Sequence, residues 1–517
     1  MPVIGIDLGT SNTCVGVVIN GKPQVILDEK GRATLPSVMA VNRRGQFFVG
    51  HLAKAQMSLN PEGTIHSAKR LLGQKYSSAN VQRLAADLPY SIVALPDDAP
   101  GIQIAETVLS PTEVSAAILK KVKSMAENAL HTEITNAVIS VPAHFDNFQR
   151  SETKHAAEIA GLEVRRLINE PTAAALAYGY GANSPGIIAV FDFGGGTFDI
   201  SVLEIGDGIY NVLATGGDTF LGGNDFNLAL AKHLAAGFKK KYQFDLMENI
   251  SARQRLIDAA EFAKIQLSSQ NTAHVELKQI MPEVHRNLDI DETISRDQFE
   301  AMCAPLVERA IEICEKTFES ANLTVNDIDD IVMVGGMTRM PLIRKRVAEW
   351  FGRAPNTRVN PDEAVGIGAA IQAMALDNTQ GDSVVLLLDV LPLTLSIEAA
   401  GGVCIPVIPK NTKIPHHVTR VFTTSRDNQS SVMISIYQGE GHLTHENAKL
   451  GTFELNGIRP APRMAPRIEV SFSIDVNGIL SVTALDLDTR QSQSIEIVDL
   501  TNKALDALNE QPDQTDG

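Results

Sequence analysis

A strand-turn-strand pattern occurs twice in the chain, at the start and again near the middle. Ile4–Thr10 is an apolar strand that ends in Asp and continues into glycine and threonine, and Ile188–Thr197 repeats that order. A second apolar strand follows each copy, Cys14–Ile19 in the first and Phe198–Leu203 in the second. This duplication predicts two related α/β lobes that face one cleft.

The two turns have the composition of a phosphate site. Glycine lets the backbone approach an anion closely, and successive amides in such a turn form an anion-binding nest. An Asp at the strand end can hold magnesium, usually through water. One Asp-x-Gly-Thr turn alone is more often a tight hairpin, but two copies, at Asp7–Thr13 and Asp192–Asp199, favour a shared site. The sequence has no G-x-x-x-x-G-K-[ST], H-E-x-x-H or G-x-S-x-G motif.

A third glycine turn, Val334–Arg339, follows the apolar strand Ile331–Val334. By itself it is a strand-to-helix turn. Beside the other two loops it becomes a candidate binding site for an adenosine.

Length and composition restrict the class of protein. At 517 residues the chain is too long for one hydrophobic core, so about three units are expected. A net charge of -16 argues against nucleic acid as a partner. The longest aliphatic run, Val384–Leu388, is too short to span a bilayer, and Val3–Ile6 does not resemble a secretory signal. Four scattered cysteines favour a reducing, cytoplasmic compartment.

The sequence pattern changes at Gln372–Ser383, a polar, glycine-bearing stretch. Before it, strands alternate with helical periods. Ser110–Glu113 has a serine cap, proline at the first helical position and a glutamate that closes a capping box, which predicts a helix start. Another helix is expected at about Asp297–Ser320. The apolar residues at helical spacing after the capping box are Val114, Ile118, Val122 and Met125.

After this boundary the apolar residues alternate with polar ones, which is typical of strands. Two such runs are separated by Asn477-Gly478 and predict a β-hairpin with a tight turn. The last unit is therefore expected to be a small all-β module, and Thr501–Gly517 has room for one marginal helix at most. The alternating residues are Val432, Ile434, Ile436, Val470, Phe472, Ile474, Leu480, Val482 and Ala484.

Four motifs together resemble the DnaK-type heat-shock chaperones of the heat shock protein 70 family, and the similarity runs from Val3 to about Asp499. The resemblance implies a two-lobed, actin-like α/β ATPase domain over residues 1–376 and a linker at 377–389. An all-β sandwich that binds peptides (390–500) and a short polar tail (501–517) would follow. The motifs are Gly5–Asn12, Ile168–Ala175, Phe193–Asp199 and Val334–Arg339.

The resemblance also implies an ATPase site that uses ATP/ADP and magnesium, with potassium as an option. Asp7 and Asp192 would face magnesium through water. Lys69 would lie beside the γ-phosphate and the attacking water, and Glu170 would help to position that water; Thr197 would bind phosphate and belongs to the catalytic set. Without the family, Glu261, Lys264 and Ser268 would be an ordinary surface of a helix. The implied nucleotide-binding residues are Gly9, Thr10, Ser11, Asn12, Gly194, Gly195, Gly196, Thr197, Glu261, Lys264, Ser268, Gly335, Gly336, Arg339 and Asp362.

For the linker, the family implies a peptide that docks under the nucleotide lobes when ATP is bound, although Val384–Leu388 alone could be an edge strand of the last unit. Pro142 and Arg150 match signal-relay positions, and Arg166 and Asp389 match those that meet a J-domain co-chaperone. A nucleotide exchange factor is a further implied partner. The linker residues are Val385, Leu386, Leu387, Leu388 and Asp389.

The implied ligands of the β module are extended hydrophobic segments of unfolded proteins. For each groove residue taken singly, core packing explains the apolar side chain equally well. Ala400 and Ser425 replace a bulkier methionine and an alanine in the arch over the peptide, so we expect Ala400→Met to slow peptide exchange. The implied peptide-binding residues are Ile397, Ala400, Val403, Phe422, Thr423, Ser425, Gln429, Val432, Ile434 and Ile468.

Other departures concern the end of the chain and single positions. Family members usually continue into a helical lid, whereas only Thr501–Gly517 remains here. Either the native protein lacks a lid or this sequence is a truncated piece of it, and in both cases the expectation is an uncovered groove that releases peptide quickly. His144 replaces a tyrosine and Ser396 a glycine. Two alternatives share the two-lobed cleft: an actin-like filament protein, and a sugar or acetate kinase. Neither predicts a hydrophobic linker followed by a β module.

Overall fold

The computed structural model describes residues 2–42, 44–180, 185–281, 288–377, 385–399, 401–490 and 492–496. The first lobe, called lobe I, contains β1 (Ile4–Leu8), β2 (Asn12–Ile19), β3 (Lys22–Val25), β4 (Thr34–Pro36), β5 (Met39–Val41), β6 (Phe47–Val49), α1 (His51–Ala55), β7 (Thr64–Ile65), α2 (Ala79–Asp87), β8 (Ser91–Ala94), β9 (Pro100–Ile104), β10 (Thr107–Leu109), α3 (Pro111–Leu130), β11 (Asn136–Val141), α4 (Asn147–Ile159), β12 (Glu163–Asn169) and α5 (Glu170–Gly179).

The second lobe, lobe II, repeats this arrangement with longer helices. It contains β13 (Gly186–Phe193), β14 (Phe198–Gly206), β15 (Ile209–Asp218), α6 (Gly223–Tyr242), α7 (Ile250–Leu267), β16 (Thr272–Leu277), β17 (Ile290–Ser295), α8 (Arg296–Ser320), β18 (Asp330–Val334), α9 (Pro341–Phe351) and α10 (Ala364–Asp377).

The two central sheets have matching strand orders. The main path in lobe I is β12-β11-β1-β2-β3, and in lobe II it begins β18-β13-β14-β15. In each, the glycine-threonine turn joins two antiparallel strands, and the first of them also pairs in parallel with a later strand, β11 or β18. The duplication predicted from the sequence is therefore confirmed as a repeated topology.

Local signals predicted the helices well. Ser110 caps α3 in a capping box with Glu113, and Pro111 is its first residue. The helix expected at Asp297–Ser320 is α8, which begins one residue earlier. However, α10 continues to Asp377, so the polar boundary stretch begins inside a helix in which Gln372 is buried.

Helix α10 belongs to lobe II in sequence but packs on the sheet of lobe I. A Cβ atom on Gly5 would overlap the backbone of Ala370, and one on Gly368 would overlap that of Ala173. Glycine at these two contacts lets α10 lie directly against β1 and α5. This helix therefore joins the two lobes beneath the cleft.

After α10 the described chain forms strands: β19 (Leu386–Val390), β20 (Leu395–Ala399), β21 (Val403–Ile408), β22 (Lys413–Ile414), β23 (His416–Phe422), β24 (Ser431–Gln438), β25 (Ala448–Asn456), β26 (Ile468–Ile474), β27 (Leu480–Asp486) and β28 (Ser492–Glu496). Two four-stranded sheets, β21-β20-β24-β25 and β23-β26-β27-β28, enclose one apolar core, so the β module is a sandwich as predicted.

The hairpin predicted around Asn477-Gly478 is formed by β26 and β27, but its turn is longer than two residues. Ile474 pairs with Leu480, which leaves five residues, 475–479, in the loop. The Asp475 carboxylate accepts hydrogen bonds from the backbone N–H groups of Asn477 and Ile479. This side-chain capping stabilises a wider loop than the Asn-Gly pair alone requires.

Strand β19 connects the two parts of the molecule. It pairs in parallel with β15 of lobe II, with Leu387 opposite Tyr210, and antiparallel with β22, with Asp389 opposite Ile414. Among the described residues, no helix is both long and apolar enough to span a bilayer.

Candidate functional site

The two glycine-threonine turns meet at one cavity of about 350 Å³ between the lobes. A Cβ atom on Gly195 would overlap Ser11, and one on Gly196 would overlap Thr10. Glycine at these positions is therefore required for the turns to approach each other. The predicted residues that line the cavity are Asp7, Gly9, Thr10, Ser11, Asn12, Lys69, Glu170, Asp192, Gly194, Gly195, Thr197, Gly335, Gly336 and Asp362.

Lys69 and Glu170 form a buried ion pair in this cavity. Lys69 lies in a short 3₁₀ turn of lobe I, Glu170 begins α5, and Lys69 Nζ is 2.6 Å from Glu170 Oε1. The ring of Phe145 lies 5.5 Å from the same ammonium. An ammonium held by a carboxylate and an aromatic face has little freedom, so it can present its charge to a phosphate at a fixed position.

Three buried Asp side chains lie next to this pair, in surroundings that disfavour their charged form. Burial, reinforced by the nearby Glu170 carboxylate, raises the pKa of Asp7 to about 7 and that of Asp199 to about 8. The same causes, in the same order, raise the pKa of Asp192 well above its ordinary value. Ser140 Oγ donates a hydrogen bond to Asp7 Oδ1 at 3.1 Å and partly offsets the repulsion.

This donor set fits magnesium. Several carboxyl groups are buried at the cavity with one lysine, and hard carboxylate oxygens are the ligands that magnesium prefers. No three His, Cys, Asp or Glu side chains in the described ranges form a direct metal-binding group. Asp7 and Asp192 are the residues that would hold the ion, which when bound would neutralise phosphate charge.

Sequence reasoning missed Arg70, the neighbour of Lys69. Its guanidinium, which is buried, donates hydrogen bonds to the Gly196 carbonyl oxygen at 2.7 and 3.0 Å, and to the Asp225 carboxylate at 2.6 and 3.3 Å. Arg70 belongs to lobe I and both acceptors belong to lobe II, so this residue ties the lobes together behind the phosphate loop. The signal in the sequence that could have indicated Arg70 was its position directly after Lys69.

Five predicted nucleotide residues do not line the phosphate cavity. Lys264 Nζ donates to the Gly223 carbonyl oxygen, and Glu261 is paired with Lys54 at 3.0 Å across the cleft. Arg339 forms an ion pair of 2.6 Å with Asp362, which does line the cavity. The five are Gly196, Glu261, Lys264, Ser268 and Arg339.

One of the predicted relay residues, Arg150, takes part in a hydrogen-bonded chain at the base of lobe I, together with Asn169, which the sequence did not single out, and the linker residue Asp389. Arg150 Nη2 donates to Asn169 Oδ1 at 2.7 Å, and Asn169 Nδ2 donates to Asp389 Oδ2 at 2.8 Å. Arg150 also donates to the Asn477 carbonyl oxygen of the β module at 3.2 Å. Since Asn169 directly precedes Glu170, this chain leads from the phosphate cavity to β19 and the sandwich.

Other relay and linker residues surround that chain. Pro142 is buried, and its carbonyl oxygen accepts the Phe145 N–H. Arg166 Nη2 donates to the Leu387 carbonyl oxygen at 3.4 Å. The Leu387 side chain is 5% exposed and Leu386 is 43% exposed, while Leu388 is half-buried. Val384 lies outside the described residues.

The predicted groove residues divide into buried and accessible ones. Ile397, Ile434 and Ile468 belong to the core of the sandwich, and Phe422 and Val432 pack against its margin. Val403 is exposed, as are Thr423 and Ser425. Gln429 Oε1 accepts the Ser425 N–H at 3.0 Å. Ala400 lies outside the described residues.

A two-lobed α/β unit with paired phosphate loops, followed by a β-sandwich, defines a class of actin-like ATPase domain with an attached β module. The family model of the Hsp70 protein matches residues 3–515, which is nearly the whole chain. The chain therefore belongs to the Hsp70 family, whose members are ATP-dependent chaperones that bind ATP or ADP with magnesium.

Proposed function

We propose that the chain hydrolyses ATP to ADP and phosphate in the cavity between the glycine-threonine turns. Backbone amides of Gly9–Ser11 and Gly194–Thr197 would hold the phosphates. Lys69 would neutralise charge that develops on the γ-phosphate, and Glu170 would orient the attacking water. The buried Lys69–Glu170 pair supports these roles, because both groups line the same cavity at a fixed distance.

We further propose that hydrolysis controls the affinity of the β module for extended hydrophobic peptides of unfolded proteins. The observation that carries this proposal is the hydrogen-bonded chain Arg150–Asn169–Asp389, which connects the residue next to Glu170 with β19. A change of position at Glu170 would therefore alter a buried polar chain, and buried polar groups tolerate little loss of their partners. The peptide would bind the module at the groove residues named above.

The remaining proposed partners follow from sequence positions that match the family. We assign the J-domain contact to Arg166 and Asp389, and expect an exchange factor to open the cleft.

We place the domains at 1–376 and 390–500, with 377–389 as the linker and 501–517 as a tail. All four cysteines are free and buried, which supports a reducing compartment such as the cytoplasm.

The experiment is ATP turnover by the full chain in the presence of a panel of extended apolar peptides. We expect the peptides to accelerate turnover, and ATP to speed up the release of a fluorescent peptide. Turnover that no peptide alters, together with ATP-dependent polymerisation, would favour a filament protein. Formation of a phosphorylated small molecule would favour a kinase.

A further inference from the structure

A cavity of about 390 Å³ lies within lobe II, beside the phosphate cavity. Its walls come from three segments: β18 with the turn that follows it, the start of α9, and the loop 357–361. It shares Asn360 and Pro361 with the phosphate cavity, and Arg339 is the one predicted nucleotide residue that lines it. We call it the arginine cavity. Its polar lining residues are Thr338, Arg339, Arg344, Thr357, Arg358 and Asn360.

The charge of the arginine cavity is opposite to that of the whole chain. Arg339, Arg344 and Arg358 line it, and none of the lining residues in the described chain is Asp or Glu. The full sequence, in contrast, has a net charge of -16. A concave surface with charges of one sign concentrates ions of the opposite sign. The cavity is therefore expected to attract anions.

Two of the three guanidinium groups are available to a ligand. Arg344 Nε donates to the Thr338 carbonyl oxygen at 2.7 Å, which fixes the side chain and leaves its two terminal nitrogens without an acceptor in the described ranges. Arg358 is exposed and forms no ion pair with any residue that the structure describes. Arg339 is already paired with Asp362 at 2.6 Å. Arg344 and Arg358 thus present unneutralised charge to the cavity.

The acids on the neighbouring segments do not supply the missing counter-charge. None of them lines the arginine cavity, and three of them accept hydrogen bonds from side chains other than Arg344 and Arg358. An anion that enters the cavity therefore displaces no carboxylate from these two arginines. The three pairs are Asp362 with Arg339, Glu363 with Asn360, and Asp330 with Asn356.

Guanidinium groups that converge from three segments favour a phosphate over a carboxylate. Each guanidinium has several N–H donors in a planar fork, which matches pairs of oxygen atoms. A phosphate group offers tetrahedrally arranged oxygens to several such forks at once, whereas a carboxylate has two oxygens in one plane. The arrangement of the three arginines is therefore better suited to a tetrahedral oxyanion.

We propose that the arginine cavity binds a small anion that carries phosphate groups, held mainly by Arg344 and Arg358. Arg339 links this site to the nucleotide, because a bound anion competes with Asp362 for its guanidinium, and Asp362 lines the phosphate cavity. An anion here should therefore speed up ADP release. This effect rests on the proposed ATP function, whereas anion binding itself does not.

Pyrophosphate is the probe. It is titrated by calorimetry, in magnesium-matched solutions, into the full chain with ADP in excess, so that the phosphate cavity is already filled. We expect a Kd of roughly 0.1–1 mM that rises with ionic strength, since exposed charges are screened by salt. Succinate, a dicarboxylate, should bind at least about fivefold more weakly. Equal binding of the two anions would overturn the assignment to phosphate.

Two double variants locate the site, and all four positions are exposed. Arg344→Gln with Arg358→Gln should weaken pyrophosphate binding at least about tenfold, because charged hydrogen bonds are lost. Lys345→Gln with Lys316→Gln removes the same charge from lobe II outside the cavity, and binding should stay within about twofold. Unchanged binding in the arginine variant, or an equal loss in both variants, would rule the site out.

ADP release tests the link to the nucleotide. Pyrophosphate should make release from the unmodified protein roughly fivefold faster, and this effect should disappear in the arginine double variant. Binding without any change in release would refute the competition for Arg339. A chain that binds pyrophosphate through Arg344 and Arg358 but hydrolyses no ATP would refute the proposed ATP function and support the anion site.

Discussion

At the scale of single residues, the phosphate cavity combines several buried carboxyl groups with one lysine. Lys69 and Glu170 have side chains that are 6% and 9% exposed, and Asp7 and Asp192 lie in the same cavity. In such a desolvated site a fixed charge acts much more strongly than in water. The Lys69 ammonium is therefore expected to matter more for hydrolysis than for the initial binding of nucleotide.

We predict that Lys69→Met lowers kcat for ATP hydrolysis by about 10²–10³-fold, because the transition state loses its fixed positive charge. ATP affinity should change by less than about tenfold, since the loop amides remain. Single-turnover hydrolysis and nucleotide titration measure the two effects. Lys75→Met is the control, since the Lys75 ammonium lies outside the cavity, where it donates to the Asp97 carbonyl oxygen and lies over the Phe148 ring. A kcat within threefold of the unmodified protein would refute the assigned role.

Arg70 gives a second residue-scale prediction. Replacing its guanidinium by an amide, in Arg70→Gln, removes charged hydrogen bonds that join lobe I to Gly196 and Asp225 of lobe II. Such bonds contribute about 1.5–3 kcal/mol, so ADP should dissociate roughly 10- to 150-fold faster. Stopped-flow release of a fluorescent ADP measures this rate. Arg309→Gln breaks an ion pair with Asp218 inside lobe II and should have little effect.

At the scale of elements, β19 is the segment whose role the sequence left open. The sequence allowed two interpretations of this segment, a docking peptide or an edge strand of the last unit. In the structure β19 pairs with both β15 and β22. The residues predicted an apolar strand correctly. They could not indicate its partners, because strand pairing depends on where two distant segments meet.

We predict that Leu387→Asp uncouples ATP from peptide binding, since the carboxylate cannot stay in the apolar cluster that contains Leu387. Burial of such a side chain contributes about 1.5–3 kcal/mol, so the ATP-induced change in peptide off-rate should shrink roughly 10- to 150-fold. Leu386→Asp is the matched control, because Leu386 is the neighbouring residue on the same strand and is 43% exposed. Equal coupling in both variants would mean that docking of β19 does not carry the signal.

At the scale of the whole molecule, His144 lies where both lobes and the β module meet. The backbone N–H of His144 donates to the carboxylate of Asp199 in the second phosphate loop. The ring atom Nδ1 of His144 is buried and has no hydrogen-bond partner in the described chain. Burial lowers its pKa below 6.5; Asp218 and Glu440 oppose this shift, and Lys410 and Arg150 add to it. The ring is therefore neutral while the module is packed against the lobes.

This position makes the packed arrangement sensitive to acid. As the pH falls below 6.5, a solvent-exposed His144 takes up a proton before the packed one does. The packed state therefore loses stability until the pH reaches the lowered pKa, and below that pH the loss is complete. We predict that the hydrogen-exchange protection of β19, corrected for the slower intrinsic exchange in acid, falls more (or rises less) between pH 7.5 and pH 5.5 in the unmodified protein than in His144→Phe.

Carboxyl groups at the same junction change stability in the opposite direction. Burial raises the pKa of Asp146 to about 6 and also raises that of Asp389, so protonation at low pH stabilises their packed state. Comparison of His144→Phe with the unmodified protein isolates the histidine from these groups. His233→Gln, at an exposed site on α6, is the control. An identical pH response in His144→Phe would exclude the histidine as the cause.

The sequence by itself determined the repeated strand-turn-strand units, the start of α3 at its capping box, and the alternation of the β module. These features depend on residues within a few positions of one another, so local propensity and spacing reveal them. Only the tertiary structure decided that Arg70 meets Asp225, 155 residues away, and that His66 and Gln254 line one cavity. Such contacts arise because the duplicated lobes face each other, and their side chains carry no local mark of the partner they will meet.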